Sequence, residues 1–181
     1  MIYIILYLAG VELFVNGLLL LGMVSSFPGV AALNFLIGTL ITVMALYITM
    51  TDMLKGFGET VSSTAAASCL TFSIAYLMIA LEVWTKGDFT VLGWYSLAVS
   101  VCLFSLSLGF FGILGKKLPK VPQFGVLWLC WAVCFFLFWL RFGLQMAAVG
   151  PLTGWVIIIV GFITCSYPAL ANFQAGKVGQ W

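Results

Sequence analysis

Long apolar runs alternate with short polar breaks along the whole chain. Each run is close to the length of about 20 residues that an α-helix needs to cross the hydrocarbon core of a bilayer. The breaks hold Gly, Pro, Ser or charged residues, which end hydrophobic periodicity. The pattern predicts six transmembrane helices, over residues 2–23, 30–50, 61–84, 91–115, 121–142 and 152–173.

The connections between these runs are short, with ten residues or fewer in each. Consecutive helices are therefore expected to be antiparallel neighbours. We expect an all-α membrane protein with six transmembrane helices in three antiparallel hairpins, forming one compact bundle and a single domain over residues 1–181. The first run lacks a positive leader and a small-residue cleavage site, which predicts a retained helix. Pro168 is expected to bend the last helix.

Composition narrows the chemistry further. The chain is 64% hydrophobic and 7% charged, whereas about 25% of residues are charged in soluble domains. A net charge of +2 without a basic run does not suit nucleic acid. The sequence has no histidine, which removes Ser-His and Cys-His catalysis and His-liganded metals. Its five cysteines lie in apolar runs without a CxxC pair, so we predict five buried small hydrophobes and no metal site, catalytic residue or cofactor.

Polar side chains at membrane depth are few. Glu12 lies near the middle of the first helix, and Asn16 follows one turn later on the same face. A carboxyl at this depth is costly, so it is expected to face the bundle interior or a wet path, and it is a functional candidate. The alternative is a structural carboxylic acid that is hydrogen-bonded to Asn16 or to a neighbouring helix. Asn34 is expected to cap or bridge helices, in a structural or a functional role.

Aromatic residues are arranged in stripes. The fifth helix carries four large rings at i, i+3, i+7 and i+11, which places them along one face: Trp128, Trp131, Phe135 and Trp139. The third helix carries Phe72 and Tyr76 one turn apart. Such stripes pack in a core or against lipid, or they line a narrow path for a small, planar, uncharged solute.

Several segments, taken in order, resemble the AmiS/UreI family of urea and short-chain amide channels. The segments are 7–17 (YLAGVELFVNG), 33–38 (LNFLIG), 93–97 (GWYSL), 128–131 (WLCW), 154–155 (GW) and 167–168 (YP). The resemblance extends over nearly the whole chain and includes all six helices. It implies a homo-hexameric ring in the bacterial inner membrane, with a pore in each protomer and lipid in the centre.

The resemblance also assigns a pore path. The residues that match the family's aromatic wall are Phe72, Tyr76, Trp128 and Trp131, with Phe135 where the family has a third tryptophan. The leucines of the first helix that narrow the pore match Leu6 and Leu13. We add Glu12 and Asn16 to this path because both are polar groups at membrane depth.

The chain departs from the family pattern in two places. Acid-opened members of the family have a long loop with histidines after the second helix. Here that loop is the short segment 52–60 without histidine, so opening by histidine protonation cannot operate. Some members have a glutamate in the sixth helix at the position of Val160 in this chain. These members have an aliphatic residue at the position of Glu12. We therefore hypothesise that Glu12 supplies the pore carboxyl from another wall.

Membrane orientation has two opposed indications. The positive-inside rule places both termini in the cytoplasm, because five lysines would share the side of the termini: Lys55, Lys116, Lys117, Lys120 and Lys177. The resemblance places both termini outside the cell. With so few charges the count has little force, and we follow the resemblance.

The expected function is passive passage of urea or short-chain amides through an aromatic-lined pore in each protomer, without enzymatic activity. Two alternatives stay open from the sequence. One is a small structural or accessory membrane subunit, in which the aromatic residues only pack. The other is a proton-coupled amide transporter that uses Glu12 as the proton carrier.

Overall fold

Six membrane-length helices are present in the described part of the chain. The computed structural model describes residues 2–51, 59–115 and 118–175. Within them, the segments long and apolar enough to cross a bilayer are Ile2–Leu20, Phe27–Thr51, Ser63–Thr85, Thr90–Phe110, Pro122–Gly143 and Ala147–Gln174. The all-α prediction with six spans is confirmed. Lys55, Lys116, Lys117 and Lys177, and residues 52–58 of the predicted loop, lie outside the described residues.

The helices are named in chain order. Their bounds are α1 Ile2–Leu20, α2 Phe27–Thr51, α3 Glu59–Thr85, α4 Thr90–Phe110, α5 Pro122–Phe138, α6 Gly150–Gly161 and α7 Tyr167–Gln174. A π-helical turn extends α5 over Trp139–Gly143, and a second one over Phe162–Ser166 joins α6 to α7. Two compact units contain these elements: Met1–Gly87 with Gly154–Trp181, and Asp88–Thr153. The single domain over residues 1–181 stays a prediction.

Several helix ends differ from those expected. α2 begins at Phe27, ahead of the expected start at Val30, because a proline in the first helical turn loses no hydrogen bond and Pro28 fits there. α4 ends at Phe110 rather than near Gly115. Gly112 and Gly115 have φ angles of 75° and 73°, which a right-handed helix cannot contain.

In the first unit, α1 packs closely against the last helical span. A Cβ added to Gly17 would lie 2.8 Å from the carbonyl oxygen of Gly154, so these backbones approach as only small residues permit. The π turn at Phe162–Ser166 directly precedes Pro168, in the first turn of α7. Pro168 has no N–H, and its ring excludes a normal α-helical turn before it. The irregularity therefore lies where the sequence predicts a bend.

In the second unit, three serines of α4 are buried: Ser96, Ser100 and Ser107. The Ser100 and Ser107 hydroxyls donate hydrogen bonds to the carbonyls of Ala132 and Gly125 in α5, at 2.8 and 2.7 Å. Phe104 is exposed on the outer face. An apolar outer face suits contact with lipid, and the buried hydroxyls join α4 to α5.

The cysteines follow the prediction only in part. Cys69, Cys134 and Cys165 are buried, and Cys130 is half-buried. Cys102 is exposed, so its predicted burial is wrong. It lies on the outer face of α4, where a small apolar side chain is as compatible with lipid as with a core.

Candidate functional site

The interior face of α1 carries the polar candidates. Glu12, Leu13 and Asn16 are all buried, and Glu12 has 0% exposure. They lie on one face because residues three or four apart in a helix are neighbours. Leu13 packs near Gly161 of α6. Leu6, the other expected narrowing leucine, is half-buried.

Asn16 and Asn34 join α1 to α2 through a reciprocal pair of amide hydrogen bonds. The Asn16 Nδ2 donates to Asn34 Oδ1 at 3.0 Å, and Asn34 Nδ2 donates to Asn16 Oδ1 at 2.9 Å. Asn34 Nδ2 also donates to the Val30 carbonyl at 2.9 Å, within its own helix. Asn34 therefore bridges two helices, which is one of the roles that its position predicts.

Glu12 is unusual among the buried polar groups. Neither carboxyl oxygen has a hydrogen-bond partner among the described residues. The amide of Asn16 is the polar group that acts on the carboxyl, but its geometry falls short of a hydrogen bond. The expected structural alternative, a carboxylic acid satisfied by Asn16 or another helix, therefore lacks its hydrogen bond here.

The aromatic pair of α3 lies in the same unit. Phe72 and Tyr76 are both buried, and their ring centroids are 6.4 Å apart. The Tyr76 hydroxyl donates a hydrogen bond to the Ala9 carbonyl of α1 at 3.2 Å. Tyr76 thus contacts α1 one turn before Leu13.

In the second unit, α5 holds a row of buried rings. Trp128, Trp131 and Phe135 are all buried. The Trp128 and Trp131 rings are 5.1 Å apart with an interplanar angle of 31°. Trp128 Nε1 is buried and has no hydrogen-bond partner among the described residues. The row therefore offers flat apolar faces together with one unused N–H donor.

Trp139 departs from this row. It is half-buried in the π turn that follows α5 and contacts Trp94 and Phe136, at 6.1 and 5.3 Å between centroids. The backbone of Trp139 is still α-helical, with φ −61° and ψ −46°, and its N–H donates to the carbonyls of Phe135 and Phe136, so the π turn begins only after the stripe has reached Trp139. The sequence spacing alone does not reveal this irregular turn.

Two further rings extend the row at its other end. Phe110 at the end of α4 and Phe124 at the start of α5 lie 5.5 and 6.0 Å from Trp128. Phe124 could have been found from the sequence, because it precedes Trp128 by one helical turn. Phe110 belongs to another helix, and no spacing along the chain connects it to the row.

Each unit thus brings together part of the candidate set. The first unit contains Leu6, Glu12, Leu13, Asn16, Phe72 and Tyr76, and the second contains Trp128, Trp131 and Phe135. Among the described residues, the first unit has buried rings, an amide pair and an unpartnered carboxyl, and the second has a row of buried rings with an unpartnered Trp128 N–H. A hydrated ion would lose its water without charged partners in such surroundings.

Comparison with known proteins identifies the family. A sequence model described as AmiS/UreI family transporter matches residues 1–175. A candidate amidate-substrates transporter of Mycolicibacterium smegmatis is 35% identical over 177 residues, which cover 96% of this chain and 78% of that protein. A candidate transporter of Rhodococcus erythropolis, AmiS2, is 32% identical over 160 residues, or 88% of this chain and 73% of that protein.

Solved structures give the same fold. The Helicobacter pylori urea channel in its closed state, determined by cryo-electron microscopy, has a TM-score of 0.80 at 24% identity over 100% of both chains. A crystal structure of the urea channel from the same organism has a TM-score of 0.77 at 25% identity, covering 98% of this chain and 100% of the other. With the family match and the six apolar spans, these likenesses show that the chain is a multi-pass membrane protein and belongs to the AmiS/UreI family of transporters.

Proposed function

We propose that this chain is a passive channel for urea and short-chain aliphatic amides in the bacterial inner membrane. The observation that carries the proposal is the row of buried rings in α5, which includes an unused Trp128 N–H. Family membership supports it, as do relatives named for amidate transport and the fold of a urea channel. The transporter family also points away from an enzyme.

The mechanism follows from the shape of the solute. Urea and acetamide are flat, neutral and small, so a slot between aromatic faces accepts them edge-on. We propose that the path is lined by Leu6, Glu12, Leu13, Asn16, Phe72, Tyr76, Trp128, Trp131 and Phe135. Polar groups along it replace part of the hydration of the amide, whereas an ion finds no such replacement. Nothing in this passage needs a covalent step, a cofactor or an energy source.

The matched pair Trp131→Leu and Trp155→Leu tests this proposal. Trp131 is buried, whereas Trp155 of α6 is 55% exposed on the outer surface. Stacking with an aromatic ring is worth about 0.5–1.5 kcal/mol beyond the buried area, so Trp131→Leu should lower urea and acetamide flux by up to about tenfold. Trp155→Leu should leave both fluxes unchanged.

The readout is stopped-flow light scattering on proteoliposomes, with equal incorporation of each variant. Equal flux through wild-type protein, Trp131→Leu and Trp155→Leu would contradict an aromatic-lined path. Flux at the level of empty liposomes in every sample would favour an accessory subunit.

One observation favours a second candidate. Glu12 is fully buried at membrane depth without a hydrogen-bond partner among the described residues, and carboxyls at this depth form the proton relays of pumps and transporters. A proton-coupled amide transporter would accumulate acetamide against its gradient when a pH gradient is imposed. A channel cannot do so, and this difference separates the two candidates.

A further inference from the structure

Hydrogen bonds join Asn16 of α1 to Asn34 of α2, and Glu12 lies one turn before Asn16 on the same face of α1. An asparagine amide has two N–H donors and one carbonyl acceptor. Asn34 uses both donors, one to the Val30 carbonyl and one to Asn16 Oδ1. Because the Val30 carbonyl only accepts, this contact fixes which end of the Asn34 amide is nitrogen.

The orientation of Asn34 fixes that of Asn16. Asn16 Oδ1 accepts from Asn34, so Asn16 Nδ2 must face Asn34 Oδ1, to which it donates at 3.0 Å. This bond uses one of its two N–H groups. The carboxyl on which the Asn16 amide acts is that of Glu12, one turn earlier on the same face of α1.

The Glu12 carboxyl beside this amide pair is an acceptor without a hydrogen-bond partner among the described residues. A carboxyl has several lone-pair positions, and its carbonyl oxygen stays an acceptor even when the group is protonated. The Asn16 amide acts on this carboxyl without meeting the geometry of a hydrogen bond, so the acceptor positions stay open. Both Glu12 oxygens are buried and without a hydrogen-bond partner among the described residues, an arrangement that is costly unless a donor arrives from elsewhere.

We infer that Glu12 determines specificity by accepting a hydrogen bond from an N–H group of the solute, and that Asn16 and Asn34 are positioning residues that hold its carboxyl. The inference rests on the proposed function and deepens it. The favoured solutes carry an –NH2 group next to a carbonyl, as urea and primary amides do. An N,N-dialkylated amide has no N–H and would leave the carboxyl unpaired. A site that binds its solute through a hydrogen bond discriminates against an analogue that cannot form that bond.

A purely structural role makes a different prediction. If the three side chains only hold α1 against α2, then changing Glu12 alters the flux of all solutes by a similar factor. The informative quantity is therefore a ratio of fluxes, because protein folding and incorporation cancel in it.

The experiment measures acetamide flux relative to N,N-dimethylacetamide flux in proteoliposomes, each corrected for empty liposomes. Glu12→Gln keeps a carbonyl acceptor at the same distance along the side chain and should keep the wild-type ratio within about twofold. Glu12→Leu removes the acceptor and should lower the ratio by about tenfold, the effect of one hydrogen bond. Asn34→Ala should lower the ratio by a smaller factor, because the carboxyl is still present but less well held.

Ser73→Ala is the matched control. Ser73 is fully buried in the same unit, and its hydroxyl donates to the Leu70 carbonyl within α3 at 2.9 Å. Removing it should leave the ratio unchanged.

An infrared measurement supplies a second readout that does not need flux. Adding acetamide to reconstituted wild-type protein should shift a carboxyl band that is missing in Glu12→Gln, whereas N,N-dimethylacetamide should not shift it. The chain has five Asp and Glu residues in all, so the variant is needed to assign the band.

The outcomes separate the inference from the proposed function. An unchanged ratio in Glu12→Leu with normal wild-type flux would overturn the inference and leave the channel intact. If Glu12→Leu does not fold, the absence of a Glu12 band shift in wild-type protein overturns the inference instead. Absence of wild-type flux would contradict the proposed function itself.

Discussion

Buried polar groups without partners are the residues that carry most of the functional argument. Among the described residues, the unpartnered buried atoms are the two Glu12 oxygens and the Nε1 atoms of Trp128 and Trp139. A folded chain normally pairs such groups, because leaving one unpaired costs about 1–3 kcal/mol. In the first unit an N–H donor of a solute would satisfy Glu12, and in the second unit a carbonyl acceptor would satisfy a tryptophan N–H.

Trp128→Phe tests the N–H of Trp128 apart from its ring. The substitution keeps an aromatic face and removes a donor that has no protein partner. We expect urea flux to fall by about two- to tenfold, the effect of one hydrogen bond. We expect thermal stability in detergent to stay equal or rise, since an unsatisfied buried donor is lost. Unchanged urea flux in the liposome assay would mean that this N–H does not meet the solute.

Asp88 provides a prediction about pH outside the membrane spans. Its carboxylate accepts a hydrogen bond from the Thr90 backbone N–H at 2.9 Å, which lowers the pKa of Asp88 below its ordinary value of 3.8. Because its pKa is lowered in the folded protein, the Asp88 carboxylate stabilises the fold above pH 3.8. This stabilisation is lost as the pH falls through the folded-state pKa of Asp88.

Asp88→Ala should therefore lower the melting temperature slightly at neutral pH. The difference from wild type should vanish in strong acid. Thermal unfolding in detergent at a series of pH values measures it. A difference that persists after Asp88 is protonated would assign the effect to packing rather than to charge.

The sequence predicts single residues well where a chemical anomaly is visible in one segment. Glu12 stands out because a carboxyl is rare at membrane depth, and the structure leaves it unpartnered. The Asn16–Asn34 pair is only partly predictable, because each residue suggests a partner without naming it. Phe110 is not predictable as a neighbour of Trp128, since contacts between helices depend on packing.

Close backbone contacts determine how the helices meet at the scale of elements. A Cβ added to Gly93 of α4 would overlap the backbone of Gly143 in the π turn after α5. Backbone atoms in packed helices cannot move aside as a side-chain end can. A Cβ added to Gly29 would instead meet the Ser26 hydroxyl at 2.8 Å, and that hydroxyl can rotate away.

Gly93→Ala and Gly29→Ala form a matched pair that tests this contact. We expect Gly93→Ala to destabilise the protein by about 1–3 kcal/mol or more, the usual cost of overpacking. Gly29→Ala should change stability little. The fraction of protein that stays monodisperse in detergent after heating measures both. If both variants lose monodispersity at the same temperature, the close contact between Gly93 and Gly143 does not determine the stability of the protein.

Helix existence follows from the sequence, whereas helix irregularity does not. Six apolar runs predict six spans because a bilayer requires helices of nearly fixed length. The early end of α4 at Phe110 depends on the positive φ of Gly112. The sequence does not show which glycine of an apolar run adopts a positive φ. The proline predicts an irregular turn beside Pro168, whereas no proline lies next to the π turn at Trp139–Gly143 to predict it.

At the scale of the whole molecule, membership of a family of transporters accounts for the six spans. The homo-hexamer with a pore in each protomer stays a prediction from the resemblance. Native mass spectrometry of the protein in detergent should show six copies. A monomer or dimer under conditions that preserve flux would contradict the hexamer and leave the pore within each protomer untouched.

The most direct test of the central claim is the flux of wild-type protein. Stopped-flow light scattering on proteoliposomes should compare urea, acetamide and glycerol at two pH values, with and without an imposed proton gradient. We predict fast urea or acetamide flux that does not saturate, exceeds glycerol flux, and never runs uphill. Accumulation driven by the proton gradient would contradict a passive channel, and flux equal to empty liposomes at both pH values would contradict transport by this chain alone.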